Sequence, residues 1–287
     1  VRKILVITNN LNQGSFRFRI LPLVERLRPR GFELQIEVRP KAVLARRALM
    51  RRAGEFDGVI LQRKLLDAWD AKRLRRHARR IVYDIDDAVM LPQTQEPFWV
   101  HWRLHWRFVA TARVVDHVAA GNEYLAEMFR ARGCAVTIVP TVVDPAPYRP
   151  KTHGETDRPT LVWSGSRSTA PYVRTIYPAL AEARRRVPGL RLLIVNDDPM
   201  PDAPLPCEFV QWKPGIEPEA LVQGDIGIAP TPDDPWTRGK CGFKIVQYMA
   251  AGLPAIASPV GANAGLVRAG ETGFLPTSEA EWVDAIV

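Results

Sequence analysis

The run Gly239-Lys240-Cys241-Gly242-Phe243-Lys244-Ile245-Val246-Gln247 puts a permissive backbone, two ammonium groups and the start of a helix side by side. Each part suits an anion. Gly242 lets the main chain approach a ligand closely. The first amides of a helix are unpaired and point outward. Lys240 and Lys244 lie one helical turn apart. A diphosphate is the ligand that would use all three. The same spacing also describes a surface loop before an ordinary core helix.

Other segments could take part in chemistry. Tyr83-Asp84-Ile85-Asp86-Asp87 closes an apolar strand with three acids. Such a cluster is costly unless it meets a cation, a sugar hydroxyl or a proton. Asp86 and Asp87 are the catalytic candidates; a helix cap plus solvated acids is the plainer alternative. The loop Asn12-Gln13-Gly14-Ser15 follows the first strand, where open α/β sheets bind ligands. Arg17 and Arg19 lie just beyond it, within reach of an acceptor phosphate. Gly165-Ser166-Arg167-Ser168-Thr169 follows another strand and offers amides, hydroxyls and a guanidinium. Trp212 either stacks on a base or packs inside. His101 and His105 stand at i, i+4, but no third ligand is evident and no metal site is expected.

The elements that must position these residues alternate. In the first half, strands are expected at 3–8, 33–38, 57–62, 80–84, 114–120 and 136–140, with helices at 17–28, 42–52 and 71–79. This order predicts an α/β fold, with a doubly wound parallel sheet covered on both faces. The stretch 145–159 is proline-rich and aperiodic, so residues 1–150 and 160–287 are expected as two Rossmann-like domains, with 151–159 as linker. In the second half, strands are expected near 160–164, 190–195, 207–211, 225–230, 254–258 and 273–275.

Gln247-Tyr248-Met249-Ala250-Ala251-Gly252-Leu253-Pro254-Ala255-Ile256-Ala257 closely resembles the donor-site signature of the family 4 (group 1) retaining glycosyltransferases. Gln247 and Gly239 stand where that signature has two Glu residues. Ser258-Pro259-Val260-Gly261 and Gly270-Glu271-Thr272-Gly273-Phe274-Leu275 are further marks of the family, and Val139 to Asp144 resembles its exit from the first domain. The resemblance implies a GT-B fold, two such domains facing a cleft. It implies transfer of a sugar from a nucleotide-sugar donor, with retention and without metal or cofactor. Donor contacts carry over to Gly14, Gly165, Arg167, Trp212, Lys240, Gly242, Phe243, Lys244 and Gln247. Arg167 matches the Arg that pairs with the donor diphosphate, although it lies two residues after Gly165 rather than one. Family members continue into further helices, so a shortened chain is expected, consistent with Val1 in place of Met.

The chain has 287 residues and a net charge of +9, unevenly placed. Residues 1–150 hold 27 Lys+Arg against 15 Asp+Glu, and the remainder 13 against 16. A basic first half implies an anionic partner, either lipid or nucleic acid. No nucleic-acid reader motif is present. The segment Phe98-Trp99-Val100-His101-Trp102-Arg103-Leu104-His105-Trp106-Arg107-Phe108 suits a lipid boundary, or else core packing. Three scattered cysteines fit a reducing compartment. The expectation is a cytoplasmic glycosyltransferase, peripheral to the inner face of the membrane, acting on a glycan or lipid-linked acceptor. An epimerase or hydrolase on the same fold, or a non-catalytic sugar-nucleotide-binding module, are the alternatives.

Overall fold

The computed structural model describes residues 1–92 and 96–287, which build two six-stranded, all-parallel sheets. In the first half, strands β1 (Arg2–Thr8), β2 (Phe32–Val38), β3 (Gly58–Gln62), β4 (Ile81–Ile85), β5 (His117–Ala120) and β6 (Val136–Ile138) alternate with helices α1 (Leu21–Leu27), α2 (Val43–Arg52), α3 (Ala68–His77), α4 (Phe98–Ala112) and α5 (Glu123–Arg130). The second half runs β7 (Thr160–Ser164), α6 (Ala170–Arg174), α7 (Tyr177–Arg186), β8 (Arg191–Asn196), β9 (Cys207–Gln211), α8 (Glu217–Leu221) and β10 (Ile226–Ala229). It closes with α9 (Pro235–Arg238), α10 (Phe243–Ala250), β11 (Ala255–Ala257), α11 (Asn263–Leu266), β12 (Gly273–Phe274) and α12 (Glu279–Ile286).

The strand orders are β2-β1-β3-β4-β5-β6 and β12-β11-β10-β7-β8-β9. Every pairing is parallel, so helices must cover both faces. The central strands accordingly read as unbroken apolar runs; Leu161, Val162 and Trp163 of β7 are all fully buried. Each order reverses once, at β1/β3 in the first sheet and at β7/β10 in the second. Crevices for ligands form at such reversals.

Local chemistry sets the helix limits. The helix expected over 17–28 is interrupted: Phe16–Ile20 forms a π-helical turn before α1 begins. Pro22 has no N–H to donate one turn back, so the backbone widens there. The start of α3, three residues earlier than expected, is set by the Asp67 carboxylate, which accepts the Asp70 amide at 2.9 Å.

The compact units are not the two halves of the sequence. One is Val1–Thr141 with Asp234–Cys241; the other is Val142–Asp233 with Gly242–Val287. The expected linker lies inside the second unit, tied by the Lys151 amide to the Ala251 carbonyl (2.9 Å) and by its ammonium to Asp225 (2.7 Å). The returning segment is clasped in the first unit by Asn122. Its Nδ2 donates to the carbonyls of Lys240 (2.9 Å) and Arg238 (3.3 Å), while its Oδ1 caps α5 through the Leu125 amide. Trp236 is buried in the first unit's core.

Asn122→Ala removes both the cap and the clasp and is expected to lower stability by about 1–2 kcal/mol in urea unfolding. Asn122→Asp keeps the cap but lacks the donor. It should recover part of the stability while leaving 234–241 more open to protease. Equal stability for wild type and the Ala variant would count against the clasp.

Candidate active site

Charged side chains of the first unit gather at the carboxyl ends of β1, β3 and β4. Three acids leave β4, and each meets a different environment. Asp84 is gripped by Arg19, through Nη2 at 2.6 Å and Nε at 3.1 Å. Arg19 Nη1 donates to the Val139 carbonyl (2.6 Å) and to Thr141 Oγ1 (3.1 Å). With 7% of its surface exposed, Arg19 is committed to the interior, which corrects the expectation that it meets an acceptor phosphate. Arg17 lies against the Phe18 ring at 5.0 Å and is half-buried.

Asp87 pairs with Arg63 at 2.5 Å and has the Lys240 ammonium at 3.8 Å. Asp86 has no cation of its own. Its Oδ1 is buried without a partner. Burial first, and the Asp87 charge second, push its carboxyl up to about 6, against the pull of Arg63 and a hydrogen bond from Ser15. Asp86 can therefore hold or release a proton near neutral pH. The Cys241 thiol donates to the Asp86 carbonyl at 3.1 Å, and burial pushes that thiol up to about 12, so it is no nucleophile.

Sequence reasoning missed Arg63. It takes a left-handed backbone (φ 57°) directly after β3, and its amide donates to the Asp84 carbonyl at 2.7 Å. A non-glycine residue held there costs about 1–3 kcal/mol, and such strain gathers at functional sites. Its position at the strand reversal was the only available signal. Gly14 is exposed with open space around it, so packing does not demand a glycine there.

In the second unit, Gly165 to Thr169 follow β7 at the other reversal. Gly242 caps α10 with φ 63°, a conformation glycine adopts freely, and leaves that helix's first amides forward. Lys244 lies 5.1 Å over the Trp163 ring, with its ammonium 3.5 Å from Thr169 Oγ1. The two loops are thereby brought together. Arg167 is exposed and pairs with Asp198 at 2.5 and 2.9 Å. Tyr248 pins α10 to the sheet, donating to the Ile228 carbonyl (3.0 Å) and accepting the Ser164 amide (3.2 Å).

The remaining candidates are less gathered. Gln247 is buried, and its amide donates to the Tyr148 hydroxyl at 3.2 Å. Trp212 donates to Glu217 at 3.3 Å and packs against the unit's core. Phe243 is half-buried at the start of α10. Lys240 belongs to the first unit. At Gly239 an added Cβ would fall 2.5 Å from that of Ala88, so this position has no room for the Glu of the signature.

Residues 158–287 match the profile of the family described as glycosyl transferases group 1. No curated protein matches the sequence. Among solved structures, HepE from Anabaena, crystallised with UDP and glucose, superposes with a TM-score of 0.70 at 17% identity, over 100% of this chain and 89% of that one. Sucrose-phosphate synthase from Thermosynechococcus elongatus gives 0.73 at 16%, with the same coverage. A putative UDP-N-acetylglucosamine 2-epimerase from Listeria monocytogenes gives 0.58 at 11%, over 98% and 86%. The fold is thus GT-B, two Rossmann-like units, as the sequence predicts.

The raised Asp86 carboxyl makes stability depend on pH. The native state keeps a proton that the unfolded chain releases from about pH 4, so stability falls as pH rises towards about 6. Asp86→Asn removes this slope and should gain on wild type across that window in paired unfolding curves. Parallel profiles would show that Asp86 titrates normally.

Proposed function

We propose that the chain is a glycosyltransferase moving a sugar from a nucleotide-diphosphate donor to an acceptor hydroxyl. The observation that carries this reading is a coincidence in the second unit. The part matching the group 1 profile also joins a glycine-capped helix, Lys244 and the Gly165–Thr169 loop at the strand reversal. The α10 amides, Lys244 and Arg167 would stabilise the charge growing on the departing diphosphate. Arg167 would exchange Asp198 for phosphate. Trp212 is assigned to the nucleobase side. Gln247 acts through Tyr148, holding α10 in place. Lys240 sets the charge beside Asp87.

The first unit would serve the acceptor. Asp86, with one carboxyl oxygen unpartnered, accepts a hydrogen bond from the attacking hydroxyl, and Arg63 fixes Asp87 beside it. Arg17 and the Gly14 loop lie at the same edge. Retention of configuration rests on the family resemblance. No helix among the described residues is long and apolar enough to cross a membrane. Attachment would instead be peripheral, through α4, at the inner face of the membrane. Phe98, Trp99, Trp102 and Trp106 are 79, 56, 60 and 50% exposed. The alternative of core packing for these residues is therefore set aside. Exposed Trp beside Arg103 suits an anionic lipid boundary.

Three outcomes test this reading. Lys244→Ala should weaken UDP binding about tenfold in calorimetry, the scale of one charge-assisted contact; unchanged affinity removes Lys244 from the site. Asp86→Asn should bind nucleotide normally yet lose acceptor-dependent nucleotide release. Release without an acceptor, or an epimerised sugar product, would favour the hydrolase or epimerase alternative. Trp102→Ser with Trp106→Ser should abolish sedimentation with phosphatidylglycerol vesicles at low salt. Equal pelleting with phosphatidylcholine would sink the lipid reading.

A further inference from the structure

The reversal between β1 and β3 holds a cavity of ≈ 360 Å³ that the acid cluster does not fill. Val100 and Leu104 of α4, together with Trp236, form its apolar wall, and Arg63, Lys64 and Arg107 supply its positive charge. Arg63 is already held by Asp87 and Ser15. The other two are not. Among the described residues, neither the Lys64 ammonium nor the Arg107 guanidinium has an ion-pair or hydrogen-bond partner, and both are half-buried. Glu96 lies on the lining as the one acid, exposed, and without a cation paired to it among the described residues.

This is an unbalanced site. Burial first, and then the charges of Arg39, Arg107, Arg103 and Arg46, push the Lys64 ammonium below the usual lysine range. Asp70 answers Arg39 and Arg46, at 2.7 and 2.6 Å, but not Lys64 or Arg107. Half-buried cations without partners are unfavourable until an anion joins them. The rest of the lining includes Leu65, Val89 and Leu91 beside Val100, Leu104 and Trp236, an apolar surface that a bare inorganic ion would leave unused. A ligand that satisfies the whole cavity has an anionic group and an apolar portion.

We propose that this cavity binds a phosphorylated amphiphile, with its phosphate between Lys64 and Arg107 and its apolar portion along Val100, Leu104 and Trp236. The assignment as acceptor rests on the transferase reading; binding does not. Arg63 lines the cavity and also holds Asp87, so the cavity and the acid cluster share a wall. The outer side of α4 carries the exposed Trp residues, so an amphiphile drawn from a bilayer meets one helix throughout.

Calorimetry on the whole chain with octyl phosphate, octyl glucoside and inorganic phosphate tests the proposal. Octyl phosphate should bind at least about tenfold more tightly than either of the others. Lys64→Gln and Arg107→Gln should each lose about tenfold, and Lys64→Arg should retain binding, with melting temperatures confirming folded variants. Equal binding of octyl glucoside, or no loss in Lys64→Gln, overturns the proposal. Equal binding of inorganic phosphate overturns the amphiphile assignment and leaves a free-phosphate site. UDP titrated into the same samples separates the two claims. Nucleotide binding without octyl phosphate binding defeats this inference alone. Octyl phosphate binding without nucleotide binding counts against the transferase reading alone.

Discussion

The crowding of three carboxylates at the end of β4 is the constraint around which the first unit is arranged. A buried ion pair repays its desolvation only with close geometry and further hydrogen bonds, and removing one partner typically costs about 3–5 kcal/mol. The Arg19–Asp84 pair meets that condition: the same guanidinium also binds the Val139 carbonyl and Thr141. It therefore ties the π-helical turn, β4 and the chain beyond β6 at one point. With Asp84 neutralised there and Asp87 by Arg63, Asp86 alone among the three lacks a cation. Burial, and then the neighbouring Asp87 charge, raise its carboxyl, and no cation paired to it offsets them.

The sequence made the sheets legible because parallel strands buried on both faces read as continuous apolar runs. It also placed the Gly242–α10 junction, where glycine, helix and lysines are neighbours in the chain. It failed where partners are far apart. Arg19 looks like a loop arginine until Asp84, 65 residues on, is seen to bury it. Gln247 looks like a neutral replacement for a carboxylate until Tyr148, 99 residues away, takes its amide. Arg63 carries no motif. The return of 234–241 to the first unit escaped for the same reason: Asn122 holds Arg238 and Lys240, 116 and 118 positions on, and no local period records that.

The two missing signature acids have different physical standing. At Gly239 the backbone presses on Ala88, so any side chain would force the returning segment outward. At Gln247 the fold accepts a polar side chain but turns it inward. A neutral amide is cheaper to bury than a carboxylate, and it can donate to the Tyr148 hydroxyl where a carboxylate could only accept. The substitutions are consistent with their surroundings. What remains for an anion is the set that neither change touches: the α10 amides, Lys244 and the loop after β7.

Helix α4 is where the sequence was most ambiguous and the structure most decisive. Val100, Leu104, Phe108 and Thr111 follow the period of a helix face turned inward. The aromatic residues between them are left outside, although core packing would have been the ordinary use for three Trp residues in one helix. Exposed Trp69 of α3, which packs on α4, and Leu44 of α2, which packs on α3, extend the pattern among the basic residues of the first unit. An apolar surface of this kind is unfavourable in water and marks an interaction site. Its surrounding charge decides the kind of partner. On the peripheral attachment proposed above, anionic headgroups would satisfy the arginines and lysines while the tryptophan rings enter the interface. On the reading proposed for the cavity, the inner face of α4 repeats that logic at the scale of a single molecule. One helix would then govern both where the protein sits and which ligand it takes.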